Sequence, residues 1–268
     1  MPMLIATAIG VVFFTIVTWR LGQGRRLVAL REIAIIVGSI FAYFAVRRIA
    51  EADPASAILR AESIVEFERT LGFFFEPIWQ AAIIESELLV TAVNWVYIWG
   101  HWPVIAFSAL LIYVRAPGVY RLYRNAFFLS GAIGIVLFWQ FPTAPPRLMD
   151  LGIQDTVALY SQWYRVLQPP SLVNQFAAFP SLHFGWNILL GLAMFLASTR
   201  GWIKTTALLL TVAMFISIVL TGNHFIIDAI AGAAVVLVGL GIAYWVQRYS
   251  QSRGLAAGVN RDLSEVPD

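Results

Sequence analysis

The chain has 268 residues, 60% of them hydrophobic and only 12% charged, with mean hydropathy +0.77; a soluble domain carries roughly twice that charged fraction, so a water-soluble globule is excluded. There is no cysteine, which removes disulfide scaffolds, thiolate zinc sites and cysteine nucleophiles. The net charge of +3 comes from seventeen arginines, one lysine and fifteen acids, with the basic residues in short clusters between apolar runs, a pattern of membrane topology and not of nucleic-acid binding.

A hydrocarbon core of about 30 Å needs about 20 apolar residues per helix, and seven stretches qualify: residues 3–19, 32–46, 87–114, 125–142, 182–198, 204–221 and 224–246. The expected fold class is all-α, a polytopic membrane helical bundle. The first stretch lacks the basic start and the small-residue cleavage site of a signal peptide, so residues 1–28 read as an extra, retained N-terminal helix. The last two stretches nearly touch. Joined, they would make a helix roughly 60 Å long, so Thr221-Gly222-Asn223 has to turn the chain.

The basic clusters fall in alternate connections: Arg20, Arg25, Arg26 and Arg31; Arg115, Arg121 and Arg124; Arg200 and Lys204; Arg248 and Arg253. Placing all four on the cytoplasmic side of the cell membrane puts the N-terminus outside and the C-terminus inside. Segments 47–86, 143–181 and 221–224 then lie on the outer face. Residues 247–268 form a cytoplasmic tail, polar and expected to be disordered from Ser250.

Residues 47–87 hold eight of the fifteen acids, which suits the outer side. Within them, 57–72 fit an amphipathic helix lying on the membrane, with Ala57, Ile58, Ala61, Ile64, Val65 and Leu71 on one face. Glu68 falls in the middle of that face. There a carboxylate either snorkels, pairs with a nearby arginine, or lines a cavity. In the third stretch, Glu87, Asn94, Tyr97, His101 and Ser108 share one stripe directed at the bundle interior. They suit either interhelical hydrogen bonding or the lining of a head-group cavity, and Trp95, Trp99 and Trp102 read as interface or packing aromatics.

Two of the three histidines sit where outer loops become helices, in Phe179-Pro180-Ser181-Leu182-His183 and in Gly222-Asn223-His224-Phe225-Ile226-Ile227-Asp228. A third cluster, Thr143-Ala144-Pro145-Pro146-Arg147, reaches the same surface, its prolines ending the fourth span. Ser181 and Asn223 are natural N-caps, so both histidines are expected in first turns, where backbone N–H groups and the helix dipole attract phosphate. Arg147 adds a planar, permanently charged fork for phosphoryl oxygens. His224 and Asp228 are spaced i, i+4, so the carboxylate can hold one imidazole nitrogen and leave a nucleophile. His183, on the other helix, can then protonate a leaving oxygen. Divalent metal binding by His183, His224 and Asp228 is disfavoured by the cationic Arg147, and no cofactor is implied.

At these residues the sequence resembles the type-2 phosphatidic acid phosphatase superfamily, and within it the branch that includes inositol phosphorylceramide synthase. Thr143-Ala-Pro-Pro-Arg147, Phe179-Pro-Ser-Leu-His183 and His224-Phe-Ile-Ile-Asp228 occur in the family's order, over a core of residues 29–246 that includes the outer segment 47–86. The resemblance implies a six-helix core in which His224 forms a phosphohistidine, Asp228 orients it, His183 is general acid and base, and Arg147 with Ser181 binds phosphoryl oxygens.

The fuller phosphatase pattern has a Lys where this chain has Gln140, a Pro where it has Leu148, and an Arg where it has Ile218. A phosphomonoester carries nearly two negative charges at neutral pH and a phosphodiester one, so a site with two fewer cations suits a diester. The expected activity is transfer of a phosphate head group, in one case inositol phosphate, between membrane lipids, with a lipid phosphate or phospholipid as substrate and no nucleic-acid partner. A lipid or polyprenyl phosphate phosphatase is the alternative, and a channel or carrier lined by the same polar groups is the non-enzymatic one. Nothing in the sequence sets an oligomeric state.

Overall fold

A computed structural model describes residue 27 and residues 30–39, 53–161 and 174–264. The expected span 3–19 and the second half of 32–46 lie outside these residues. The described chain is helical, and its only β contact is an isolated parallel bridge between Thr143 and Ala177. Residues 30–39 are helical, and from residue 53 onward the described helices are α1 (Pro54–Leu71), α2 (Glu76–Ala81), α3 (Glu87–Trp99), α4 (Trp102–Arg115), α5 (Pro117–Gln140), α6 (Thr156–Tyr160), α7 (Leu182–Ala197), α8 (Gly201–Leu220) and α9 (Ile226–Ser264), with a 3₁₀ turn at Pro146–Leu148.

Three of them, α5, α8 and the Ile226–Ser252 part of α9, are long and apolar enough to cross a membrane. The α3–α4 pair makes a fourth if the two are one broken span. The protein is therefore a multi-pass membrane bundle. The stretch expected as a single helix over 87–114 is bent by 47° between α3 and α4. Pro103, in the first turn of α4, cannot donate the backbone hydrogen bond that would continue the helix, and the break falls at Gly100-His101. The chain also turns at residues 221–225, as the length of 204–246 requires. At the other end, α9 continues to Ser264 where a disordered tail was expected from Ser250. No proline interrupts the hydrogen-bond ladder before Pro267.

The centre of the bundle is α7, packed against α5, α8 and α9, while α5 and α9 run tightly together. Leu182, Trp186, Leu189 and Ala193 of α7 meet Ala126 and Phe138 of α5 and Val235 and Val236 of α9. Between membrane helices the close approach of small residues supplies the packing. A Cβ on Gly232 of α9 would stand 2.1 Å from the Ser181 carbonyl oxygen, and one on Gly185 of α7 would stand 2.6 Å from that of Gly232. These two glycines let the start of α7 lie directly against α9. On the remote side, Glu32 pairs with Arg124 and accepts a hydrogen bond from the Tyr120 hydroxyl, fastening residues 30–39 to α5.

The outer segment does not simply lie on the lipid. The small-residue face of α1, Ala57, Ala61 and Val65, is buried against Ala144 and Phe225 of the loops. Ile58 and Leu71, expected on that face, are 38% and 58% exposed. The helix starts at Asp53, whose carboxylate accepts from the N–H groups of Ala55 and Ser56, and ends at Gly72 in the left-handed conformation.

Candidate active site

Three loops meet at one end of the bundle, where α5 and α8 finish and α7 and α9 begin. Each is tied to the other two through the backbone. Thr143 N–H donates to the Phe176 carbonyl and Ala178 N–H to that of Thr143, at 2.7 and 3.3 Å, joining the first loop to the second. Arg147 N–H donates to the Gly222 carbonyl at 2.9 Å, joining the first to the third, and Ser181 N–H donates to the Asp228 carbonyl at 2.8 Å, joining the second to the third. Gly222 has φ 71°, and a Cβ there would meet the Gln154 carbonyl oxygen at 2.8 Å, so the turn before His224 requires glycine on both counts.

His224 is 6% exposed, and its Nδ1 lies 2.8 Å from the Ala178 carbonyl oxygen. A carbonyl only accepts, so Nδ1 carries the hydrogen and Nε2 the lone pair of the neutral ring. The Asp228 carboxylate is also at hand, with Oδ2 3.4 Å from the same Nδ1. Its shorter bond, however, is from the Phe225 N–H at 2.8 Å. The i, i+4 pair is thus present, but the ring's orientation comes chiefly from Ala178, a partner that no side-chain pattern reveals.

His183 projects from the first turn of α7, whose N-cap is Ser181: the serine Oγ accepts from Phe184 N–H at 3.4 Å and has no exposed surface. The rings of His183 and His224 are 6.0 Å apart between centroids. His183 stacks on Tyr97, at 4.9 Å and 11°, and on His101, at 4.0 Å and 25°. The break between α3 and α4 puts His101 at this point of the bundle. Four of the five residues expected to face the interior, Asn94, Tyr97, His101 and Ser108, are buried, and Glu87 is exposed in the first turn of α3. Asn94 is held by α6: its amide donates to the Thr156 carbonyl and its oxygen accepts from the Thr156 hydroxyl.

Arg147 reaches towards the third loop. Its guanidinium donates to Asn223 Oδ1 at 2.7 Å and pairs with Asp155 at 3.2 Å. Asn223 in turn donates to the Thr221 hydroxyl at 2.8 Å. It does not cap a helix, because α9 begins at Ile226 and leaves His224 in the preceding turn. The first-turn amides expected to attract phosphate there are already occupied. Phe225, Ile226 and Ile227 N–H donate to the carboxyls of Asp228, Glu76 and Glu68, at 2.8, 2.8 and 2.7 Å. A helix N-terminus stabilises anions, and here the chain supplies them.

Glu68 therefore neither snorkels nor pairs with arginine; it has no exposed surface and neither has Glu76. Burial pushes the Glu68 carboxyl up to about 9, a hydrogen bond to Glu76 adding to the rise and the Ile227 N–H opposing it. The Oε2 atoms of these two residues have no hydrogen-bond partner, and the two carboxyls are neighbours, so one proton on Glu68 would complete the pair. No motif or spacing in the sequence singles out Glu76, Asp155 or Gln80. Gln80 donates to the carbonyls of Gln154 and Leu220 and accepts from Gln154 N–H. Glu76 left one usable signal, a carboxylate just before a proline in the apolar run Phe73-Phe74-Phe75-Glu76-Pro77. Among the described residues no group of three or more His, Cys, Asp or Glu side chains could hold a metal ion.

A helical membrane bundle that carries, at one end, a buried His–Asp pair, a second histidine at a helix start and an arginine in a proline-bounded loop has the parts of a phosphoryl-transfer site. The PAP2 superfamily matches residues 62–242, and the chain belongs to it. That superfamily comprises phosphatases and phosphotransferases, and its membership implies lipid phosphate substrates. No curated protein and no solved structure matches the chain.

Proposed function

We propose that the protein moves a phosphate head group between membrane lipids through a phosphohistidine on His224. In the first half-reaction His224 Nε2 attacks the phosphorus of a phospholipid diester. The P–N bond forms, the P–O bond to the lipid alcohol breaks, and His183 gives its proton to the departing oxygen. In the second, an acceptor alcohol loses its proton to His183 and attacks the same phosphorus, breaking the P–N bond. The product is a new diester, and both histidines are restored. Arg147 binds the non-bridging oxygens, the Ser181 hydroxyl donates to one of them while its oxygen caps α7, and the Asp228 charge stabilises the cationic phosphoimidazole.

The observation that carries the preference for a diester is the charge at the site. Residue 140 is Gln, residue 218 is an isoleucine with no exposed surface, and Arg147 is itself paired with Asp155. Such a site offers little to balance a dianionic monoester. The basic residues at the opposite helix ends, Arg115, Arg121, Arg124, Arg200, Lys204 and Arg248, support an orientation with the site on the non-cytoplasmic face of the cell membrane.

The deciding experiment supplies purified protein with labelled phosphatidylinositol plus an acceptor lipid and, separately, with a lipid phosphate monoester. Label transfer without inorganic phosphate release is expected. Rapid phosphate release with no diester exchange would establish the phosphatase instead, and failure to trap label on wild-type protein, relative to His224→Ala, would overturn the covalent route.

A further inference from the structure

We infer that Glu68 and Glu76 form a proton-sharing positioning pair, contributed by the outer segment, that holds the turn bearing His224 in its reactive place. The inference rests on the assignment of His224 as nucleophile. Its grounds are geometric. Two carboxyls with no exposed surface come from separate elements, α1 and α2, and each accepts from an adjacent amide about 150 residues away in sequence. The residues they grip, Ile226 and Ile227, immediately follow the non-helical stretch that contains His224.

The groups facing Glu68 explain why one proton is needed. Glu76 meets it from α2, and Asp228 adds a third carboxyl from α9, itself with one buried oxygen lacking a partner. His224 lies beyond Asp228 at 3.4 Å. On α1 the nearby Arg69 is turned towards the ring of Phe74, 5.0 Å from its centroid. With both glutamates ionised, adjacent buried anions would repel and the outer segment would withdraw from α9. With one proton between them, all three amides keep their acceptors and the second oxygens satisfy each other.

The sign of the pH effect follows from a folded-state value raised from 4.5 to about 9. The folded protein retains a proton that the unfolded chain has released, so the pair's contribution to stability is full below 4.5. It declines as pH rises and is lost through about 9. An amide at position 68 would mimic the protonated acid: its oxygen can accept from Ile227 N–H and its N–H can donate to Glu76 at every pH.

The test uses the full chain in nanodiscs and compares wild type, E68Q and E76Q by amide hydrogen exchange over residues 222–228 and by turnover per folded molecule, from pH 6 to 10. In wild type, protection of Phe225, Ile226 and Ile227 should fall at least about tenfold beyond the intrinsic pH dependence of exchange as pH passes 9. The turnover number should fall with it while KM changes little. E68Q should keep both protection and turnover across the alkaline range, and E76Q, which also retains a donor between the two side chains, serves if E68Q does not fold. An alkaline limb unchanged in both variants, or protection that does not respond to pH in wild type, overturns the inference. Hydrogen exchange reads the clamp without reference to catalysis. Loss of protection at high pH with no label trapped on His224 would therefore refute the nucleophile assignment and leave the clamp standing.

Discussion

The imidazole of His101 stacks on that of His183 at a centroid distance of 4.0 Å. Asn187 lies against the buried ring. Its amide nitrogen donates to the His183 carbonyl at 2.9 Å and lies 3.5 Å from His101 Nδ1. That places a side-chain amide beside the inner edge of the His101 ring. The stacked His101 ring buttresses His183 from beneath. His101→Ala should lower the turnover number about tenfold with little change in KM, because His183, the proposed general acid, loses its support. His101→Phe, which keeps an aromatic face, should recover most of that loss in steady-state assays.

Asp228→Asn should be a milder lesion than its place beside His224 suggests. In a Ser–His–Asp triad the aspartate sets the tautomer of the histidine, and its amide variant loses about 10⁴ in rate. Here the Ala178 carbonyl sets the tautomer, so what the variant removes under the proposed mechanism is the carboxylate that faces the phosphoimidazole. A loss of roughly 10²-fold is expected, against complete loss in His224→Ala. Rapid-quench measurement of phosphoenzyme formation separates the two.

Asp155 tempers Arg147. Asp155→Asn should leave the guanidinium more electropositive and raise kcat/KM for lipid phosphate monoesters relative to diesters, by about tenfold in the ratio. Arg147→Lys should cost at least about 10²-fold with both substrates, since a point charge does not reproduce the fork that also holds Asn223. Competition assays with paired substrates read both effects.

Gly232→Ala introduces a methyl 2.1 Å from the Ser181 carbonyl oxygen. Backbone must move, separating the second and third loops, with an expected destabilisation of about 1–3 kcal/mol. Gly241→Ala, where nothing lies within 4 Å of the added carbon, is the control and should be neutral or slightly stabilising. Thermal denaturation in detergent distinguishes them, and only the first should also lower turnover.

Much of this protein was legible in the sequence because membrane spans are written in runs of apolar residues and turns in Gly and Pro. Composition alone established a helical membrane bundle, and helix length alone required the turn at 221–223. The interior stripe of Asn94, Tyr97, His101 and Ser108 followed from helical spacing, and the Ser181 cap from residue type. The tertiary structure decided what satisfies each buried polar group, because those partners are distant in the chain or lie in the backbone. The Ala178 carbonyl on His224 has no side chain to announce it. Asp155 beside Arg147 looks like any loop acid. Most of all, the sequence leaves Glu68 to snorkel, to find an arginine or to line a cavity. Folding instead carries it, with Glu76, onto the start of α9, where the unpaired amides of a helix end far along the sequence bind carboxyls as they would bind phosphate.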